Sequence, residues 1–358
     1  MITVRGYSGD APSPVRVDRS GDLFRVYAYS ETDRESFRLD LELVNDASGM
    51  EKITLDITWP TLPFSELRDC LYFHTGSGWK SIFGRTAPGK SYFELEVPQG
   101  IHGLSLHPRY SLGDLAVFLA ELDGKAEHFT CGPSEHGRAL HGLRFGASGG
   151  RRFLITARNH ANETAGCFAV EGMAAFLLSD DPLARYALTR NEFYLIPVTN
   201  PDGTAEGMAR YSSPGGADMH RPVEWNRMNR PCKGQDAALT NLFAFYEKIA
   251  PDCFINLHSY LFKFKDEIFA PDEVTARDFT AFMPDQTDFG KSWHYVLNDQ
   301  RELAAGWTAQ KTGKTLPLTF ELSWFLRDES DMREMGRRII RAALLQYSRK
   351  GETAWGEL

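Results

Sequence analysis

Four early segments alternate apolar and polar residues: LFRVYAY (23–29), FRLDLELV (37–44), ITLDITW (53–59) and YFELEVP (92–98). A period of two puts successive side chains on opposite faces of a pleated backbone, and the intervening Gly, Pro, Asp and Ser residues supply turns. This region therefore predicts antiparallel strands. The period changes at Ser111, where SLGDLAVFLAEL (111–122) pairs a capping hydroxyl with apolar residues at helical spacing. A boundary is expected near 107–110, giving an N-terminal domain, 1–109, and a second domain, 110–358.

Beyond that boundary, continuous apolar runs alternate with helical patterns. The runs FLITA (153–157), EFYLIPV (192–198), CFINL (253–257) and LPLTFEL (316–322) read as strands buried on both faces. Between and after them, GCFAVEGMAAFLL (166–178), LTNLFAFYEKI (239–249) and the amphipathic MREMGRRIIRAALLQYSRK (332–350) read as helices, the last ending in basic residues. The expected fold class is α/β, with a mixed, largely parallel sheet flanked by helices. In such sheets ligands gather outside the carboxyl ends of the strands, so attention falls on 158–163, 199–203, 258–260 and 321–323.

Composition narrows the function classes. At 358 residues, with 42% hydrophobic and 25% charged residues, the chain suits two packed domains. No run approaches the roughly 20 apolar residues of a membrane span, and the N-terminus lacks a basic start followed by an apolar stretch, so a soluble, cytoplasmic protein is expected. The formal charge of -8 is modest and dispersed, giving no support for nucleic-acid binding. Cys70, Cys131, Cys167, Cys232 and Cys253 are scattered and form no Cys-x-x-Cys pair, so they read as reduced thiols. Any metal must then be held by His and carboxylate groups.

Two histidines and a glutamate could supply such a set. His160 and Glu163 follow the first strand run in RNHANETAG, and His258 ends another run in INLHSY. They can converge on one ion if the strand ends at Asn159 and Glu163 begins the helix. A lone His-x-x-Glu arises by chance in many proteins, and a histidine after a strand is more often a satisfied polar residue. Two such elements, each after a buried-strand run, carry more weight together. The other histidines, among them His107, His220 and His294, read by default as surface or structural.

The order His-x-x-Glu, Asn-Pro-Asp-Gly (200–203), an Arg-bearing segment, Leu-His-Ser-Tyr (257–260) and a strand ending in Glu resembles the M14 metallocarboxypeptidases, most closely their cytosolic branch. In that branch a β-sandwich precedes the catalytic domain, so the resemblance implies an antiparallel β-sandwich over 1–109. The resemblance implies one zinc per chain on His160, Glu163 and His258, with Glu321 as general base acting on a zinc-activated water. It implies a carbonyl-polarising arginine at Arg210, whose fixed planar charge suits a developing oxyanion. The family's Asp-x-Asn-Arg grips the substrate carboxylate, and here the chain departs. Asp218-Met219-His220-Arg221 has His where Asn is expected, while Glu224-Trp225-Asn226-Arg227 keeps Asn-Arg and changes the Asp. Arg221 is the favoured anchor on spacing, with His220, Asn226 and Arg227 as the other substrate-binding candidates. Tyr260 and Tyr295 both stand where the family has a tyrosine.

The implied activity is removal of C-terminal residues from peptides or protein tails. The alternatives are a zinc amidohydrolase or deacylase acting on small N-acyl amino acids or cell-wall peptides, and a non-catalytic binding protein that retains the fold. The deacylases generally lack the Asn-Pro-Asp-Gly turn and its arginine, and recognition alone requires neither the ligands nor Glu321. Sequence leaves the oligomeric state open.

Overall fold

The structure is a computed structural model, and it describes residues 1–10, 12–31, 37–60, 69–229, 236–259, 265–283, 293–298 and 300–349. Among them the alternating N-terminal segments form short strands: β1 Ile2–Gly6, β2 Arg16–Ser20, β3 Leu23–Tyr27, β4 Asp40–Asn45, β5 Glu51–Thr58, β6 Cys70–His74, β7 Trp79–Phe83, β8 Arg85–Ala87, β9 Lys90–Val97 and β10 Gly100–Ser105. They pair as two five-stranded sheets, β1-β4-β10-β6-β7 and β2-β3-β5-β9-β8. Inward residues of both sheets, such as Leu41 and Leu104 from one and Val26, Leu55 and Phe93 from the other, share a single apolar cluster. The period-two pattern predicts these strands, and the resemblance implies their packing as a sandwich. One pairing differs from the antiparallel expectation: β3 and β5 run parallel. The intervening β4 belongs to the other sheet, so the chain crosses the sandwich and returns in the same direction, as a parallel pairing requires.

The chain then enters α1 Leu112–Glu121, closed at its start by a reciprocal cap in which the Ser111 hydroxyl accepts from Asp114 N and the Asp114 carboxylate accepts from Ser111 N. Eight strands follow: β11 Glu127–Pro133, β12 Ala139–Gly146, β13 Arg151–Ala157, β14 Asn191–Ile196, β15 Cys253–His258, β16 Glu267–Ala270, β17 His294–Leu297 and β18 Leu316–Glu321. They form one sheet in the order β11-β12-β14-β13-β15-β18-β16-β17, with β14, β13, β15 and β18 mutually parallel at its centre. Antiparallel pairs join β11, β12 and β14 on one side and β16 to β18 on the other.

Helices cover both faces of this sheet. On one lie α2 Ala165–Leu177, α3 Pro182–Arg190, α7 Glu273–Thr280 and α9 Glu329–Arg349; on the other lie α6 Ala237–Ile249 and α8 Ala304–Thr312. The short helices α4 Pro201–Ala205 and α5 Val223–Asn229 sit in the loops at the strand ends. Successive residues of β13 divide between the two faces, Phe153, Ile155 and Ala157 to the first and Leu154 to the second. That explains why the strand is apolar without alternation. Helices α2 and α9 touch backbone to backbone: a Cβ on Gly172 would stand 1.8 Å from the Arg333 carbonyl oxygen, and one on Gly336 would stand 1.8 Å from that of Ala169. Among the described residues no helix is long and apolar enough to cross a membrane.

Candidate metal centre

The site begins where β13 ends. The strand stops at Ala157, and Arg158 takes a left-handed conformation, φ 61°, a strained geometry for a residue with a long side chain. Its buried guanidinium donates to the carbonyls of Ala161 (2.6 Å) and Tyr110 (3.0 Å), which curls the segment back on itself. Glu163 N donates to His160 O at 3.1 Å, closing the turn. Helix α2 starts only after Thr164, so Glu163 lies in the turn before the helix and not within it. The convergence of His160 and Glu163 thus comes from a tight turn, whereas the sequence suggested a direct strand-to-helix step.

The Glu163 carboxylate faces both histidines: Oε1 lies 2.7 Å from His160 Nδ1 and Oε2 lies 2.7 Å from His258 Nδ1. His258 ends β15, the neighbour of β13, and is paired in register with Glu321, which ends β18. Ligating atoms of His160, Glu163 and His258 all fall within 4.8 Å of one another. Nitrogen, nitrogen and carboxylate oxygen at such spacing is the donor chemistry of a hydrolytic zinc site.

The surroundings decide which ring nitrogen of His258 carries its proton. Thr156 Oγ1 donates to Asn256 Oδ1 (2.9 Å), which turns the amide nitrogen toward His220 Nδ1, also 2.9 Å away. An amide nitrogen only donates, so His220 Nδ1 accepts. His258 Nε2, 2.8 Å from the same atom, can only share that single lone pair as a donor, because a bare nitrogen there would set lone pair against lone pair. His258 Nδ1 is left bare, facing a carboxylate oxygen. Two lone pairs set against each other call for a cation, and a divalent metal fits these residues.

Charge points the same way. Burial and Arg210 work to lower the pKa of His160, but Glu163 and Asp218 outweigh them and push it up to about 9. Burial holds His258 below the usual histidine range, with His160 and Arg210 adding to the effect against Glu163. Burial would raise the Glu163 carboxyl, yet the two histidines hold it well below the usual range. The buried carboxylate thus favours positive charge at His160, whereas burial disfavours it at His258.

A second layer comes from the loop after β14. Asp218 is 3.3 Å from His160 Nε2 through Oδ1 and accepts two bonds from Arg210 through Oδ2, at 3.0 and 2.9 Å from Nε and Nη2. Burial tends to raise the Asp218 carboxyl, but Arg210 and then His160 hold it well below its usual range. Each candidate ligand histidine therefore offers Nδ1 to Glu163 and Nε2 to a residue of this loop, the arrangement in which outer partners orient metal ligands.

The remaining predicted residues are spread more widely. Arg221 is half-buried, 3.3 Å from both the carbonyl and the carboxylate of Glu302, and stacks over Trp225 at 4.9 Å. Asn226 is buried with its carbonyl accepting from Asp218 N and its amide donating to the carbonyls of Asp218, Arg221 and Pro222, so it braces the loop. Arg227 is exposed on α5. The hydroxyl of Tyr295, on β17, meets that of Thr280 at 2.7 Å, and Tyr260 lies outside the described residues. His220, by default a structural histidine, proves to be buried against His258, and Asp218 proves to link Arg210 to the candidate ligand His160. The only signal for either in the sequence was its place in the Asp-x-x-Arg segment.

Comparison with known proteins agrees with this arrangement. The zinc carboxypeptidase profile of peptidase family M14 matches residues 117–261. Human cytosolic carboxypeptidase 4 is 40% identical over 68 residues, 19% of this chain and 6% of that protein. Zebrafish (Danio rerio) cytosolic carboxypeptidase 2 is 41% identical over 71 residues, 20% of this chain and 10% of that protein. The chain thus matches only a small part of these much longer relatives. The crystal structure of a metallo-carboxypeptidase from Burkholderia cenocepacia superposes with a TM-score of 0.82, covering 98% of this chain and 100% of that one at 18% identity, a likeness of fold. A family profile that spans His160, Glu163 and His258, together with this likeness of fold along almost the whole chain, makes residues 117–261 similar to the zinc carboxypeptidases of family M14.

Proposed function

We propose that the protein is a zinc-dependent metallocarboxypeptidase that hydrolyses the C-terminal residues of peptides or protein tails, with 1–109 as a sandwich domain and 110–358 as the catalytic domain. The observation that carries this reading is the Glu163 carboxylate meeting Nδ1 of both His160 and His258, with Glu321 at the adjoining strand end. His160, Glu163 and His258 would hold one zinc ion, which when bound supplies a Lewis acid for the scissile carbonyl and lowers the pKa of water. Glu321 accepts a proton from the attacking water and returns it to the leaving amine. Arg210, fixed by Asp218, contributes a permanent positive charge where the carbonyl oxygen becomes negative. Arg221 supplies the grip on the substrate's free carboxylate, on a loop closed by Asn226, while His220 orients His258. The names of the relatives support a cytoplasmic enzyme.

The test combines metal content with substrate choice. The purified protein should hold one zinc per chain and cleave peptides with a free C-terminus in preference to their amidated forms. His160→Ala should lose the zinc and the activity together. Full retention of metal in that variant, or equal cleavage of free and amidated peptides, overturns the assignment.

A further inference from the structure

Arg210 reaches the site on a turn, Gly207 to Tyr211, that the sandwich holds from behind. Glu31 lies beyond β3 at the rim of the sandwich. Its carboxylate accepts three consecutive backbone N–H groups: Oε2 from Ala209 at 2.7 Å, and Oε1 from Arg210 and Tyr211 at 2.6 Å each. Successive amides converging on one anion form a nest, and each such bond is charge-assisted. The same turn presses on the sandwich at Gly207, whose φ is +70° and where a Cβ would stand 1.5 Å from the Pro12 carbonyl oxygen. From the catalytic side the turn is met by Asn162 N, donating to Ala209 O at 3.0 Å, and by the Asn200 side-chain amide, 3.3 and 3.2 Å from the carbonyls of Arg210 and Tyr211.

Two acids therefore act on one arginine in different ways. Asp218 holds the guanidinium, while Glu31 holds the backbone from which that side chain springs. The Asn162 bond makes this more than a local brace, because residue 162 lies between His160 and Glu163 in the turn that forms the metal site. The carboxylate thus sets the backbone of Arg210 against the segment bearing two of the three candidate ligands.

We propose that Glu31 is a positioning residue for Arg210, so that the sandwich completes the oxyanion side of the catalytic site. The proposal rests on the reading of Arg210 given above. A shift of about 1 Å in a positioned group can cost on the order of a hundredfold in rate, so loss of the anchor is felt in turnover more than in substrate binding.

The test uses the full-length zinc form. Glu31→Gln keeps the side-chain shape but removes the charge and one acceptor oxygen. It should lower kcat by about tenfold to a hundredfold, with KM and zinc content nearly unchanged. Hydrogen exchange at the amides of 209–211 should accelerate by roughly tenfold to a hundredfold, the loss expected for a charge-assisted bond, in a measurement that needs no substrate. Glu31→Asp, which retains the charge on a shorter arm, should fall between the two, and it serves in place of Gln should that variant fold poorly. On an Arg210→Ala background Glu31→Gln should add little. Unchanged exchange at 209–211, unchanged kcat, or an equal loss with and without Arg210 overturns the role of Glu31. Normal turnover in Arg210→Ala alone overturns the reading of Arg210, and with it the catalytic half of this proposal.

Discussion

The two sides of the site are built by different means. On the strand-end side, His258 and Glu321 are the last residues of neighbouring parallel strands, and a continuous backbone ladder from Cys253–Leu316 to His258–Glu321 fixes their separation. On the loop side, Arg210, His220 and Arg221 lie in irregular chain between α4 and α5, held by a few carboxylates and amides: Asp218 and Glu31 on Arg210, Asn256 on His220, Asn226 around the loop. A ladder positions a residue through many weak contacts that no single substitution removes. A loop positions it through one or two strong contacts, each of which one substitution can delete. Chemistry placed on the strand ends should therefore depend on the reacting side chains themselves, and chemistry on the loop on its supports as well.

That contrast can be tested most severely at Glu321. Glu321→Gln should keep its fold and zinc while kcat falls about a hundredfold to ten-thousandfold, the usual scale of a lost general base. Near-normal turnover would move the base off the strand end.

A large effect of another kind is expected where the strand-end side meets the sandwich. His107 is buried with Nδ1 3.0 Å from the carbonyl of Asn162, and burial lowers its pKa to about 4, with the Asn162 bond and Glu163 opposing the shift and Arg158 adding to it. Below pH 6.5 the unfolded chain takes up a proton that the folded chain refuses until about pH 4. Stability should therefore fall as the pH drops through this window, by about 3 kcal/mol for this group. Urea titrations of the metal-free protein between pH 7 and pH 4 should show a shallower decline in His107→Gln, and identical slopes would remove the histidine from the account.

On the loop side, His220→Ala deletes the acceptor that fixes the tautomer of His258. The zinc dissociation constant, read by chelator competition, should rise about tenfold to a hundredfold, the usual effect of losing an outer partner of a ligand. His220→Asn retains a side-chain acceptor and should lose less. Unaltered affinity in the alanine variant would show that the ladder alone orients His258.

The smallest difference separates the two arginines. Arg221→Ala should raise KM for free-carboxylate peptides about tenfold or more, as befits a lost charge-assisted contact, and leave amidated peptides unaffected. Arg227→Ala, at an exposed helical position, should change KM by less than about twofold. A selective effect at Arg227 alone would transfer the anchor to α5.

The same division governs what the sequence could reveal. Strands buried on both faces announce themselves as apolar runs, so β13, β14, β15 and β18 and the polar residues at their ends were legible. The strands of the sandwich were legible through their period of two, although the crossover that makes β3 and β5 parallel was not. The strands β11 and β12, and the short β16 and β17, carry weaker patterns and were missed. So were Glu31, Asp218 as a link between Arg210 and His160, and the tautomer relay through Asn256, because each acts across a gap in sequence that no local period encodes. Arg158 shows the limit clearly. Its left-handed turn brings the two candidate ligands of RNHANETAG together, yet nothing in the residue type favours that geometry; the guanidinium's bonds to Ala161, Tyr110 and Cys167 sustain it.

Helix α2 turns the glycine contact described above into a mechanical linkage. Thr164, its N-cap, directly follows Glu163, and farther along the helix Gly172 and Ala169 lie against Arg333 and Gly336 of α9 with no side chain between the backbones. Thirteen residues of α-helix form a stiff rod about 20 Å long. A bulkier residue at Gly172 or Gly336 has no soft atoms to displace, so it must drive the rod as a whole, and the turn just before that rod carries the candidate ligand Glu163. Lesions in the C-terminal helix should consequently register as changes in zinc affinity, with α9 acting as the fulcrum against which the metal site is set.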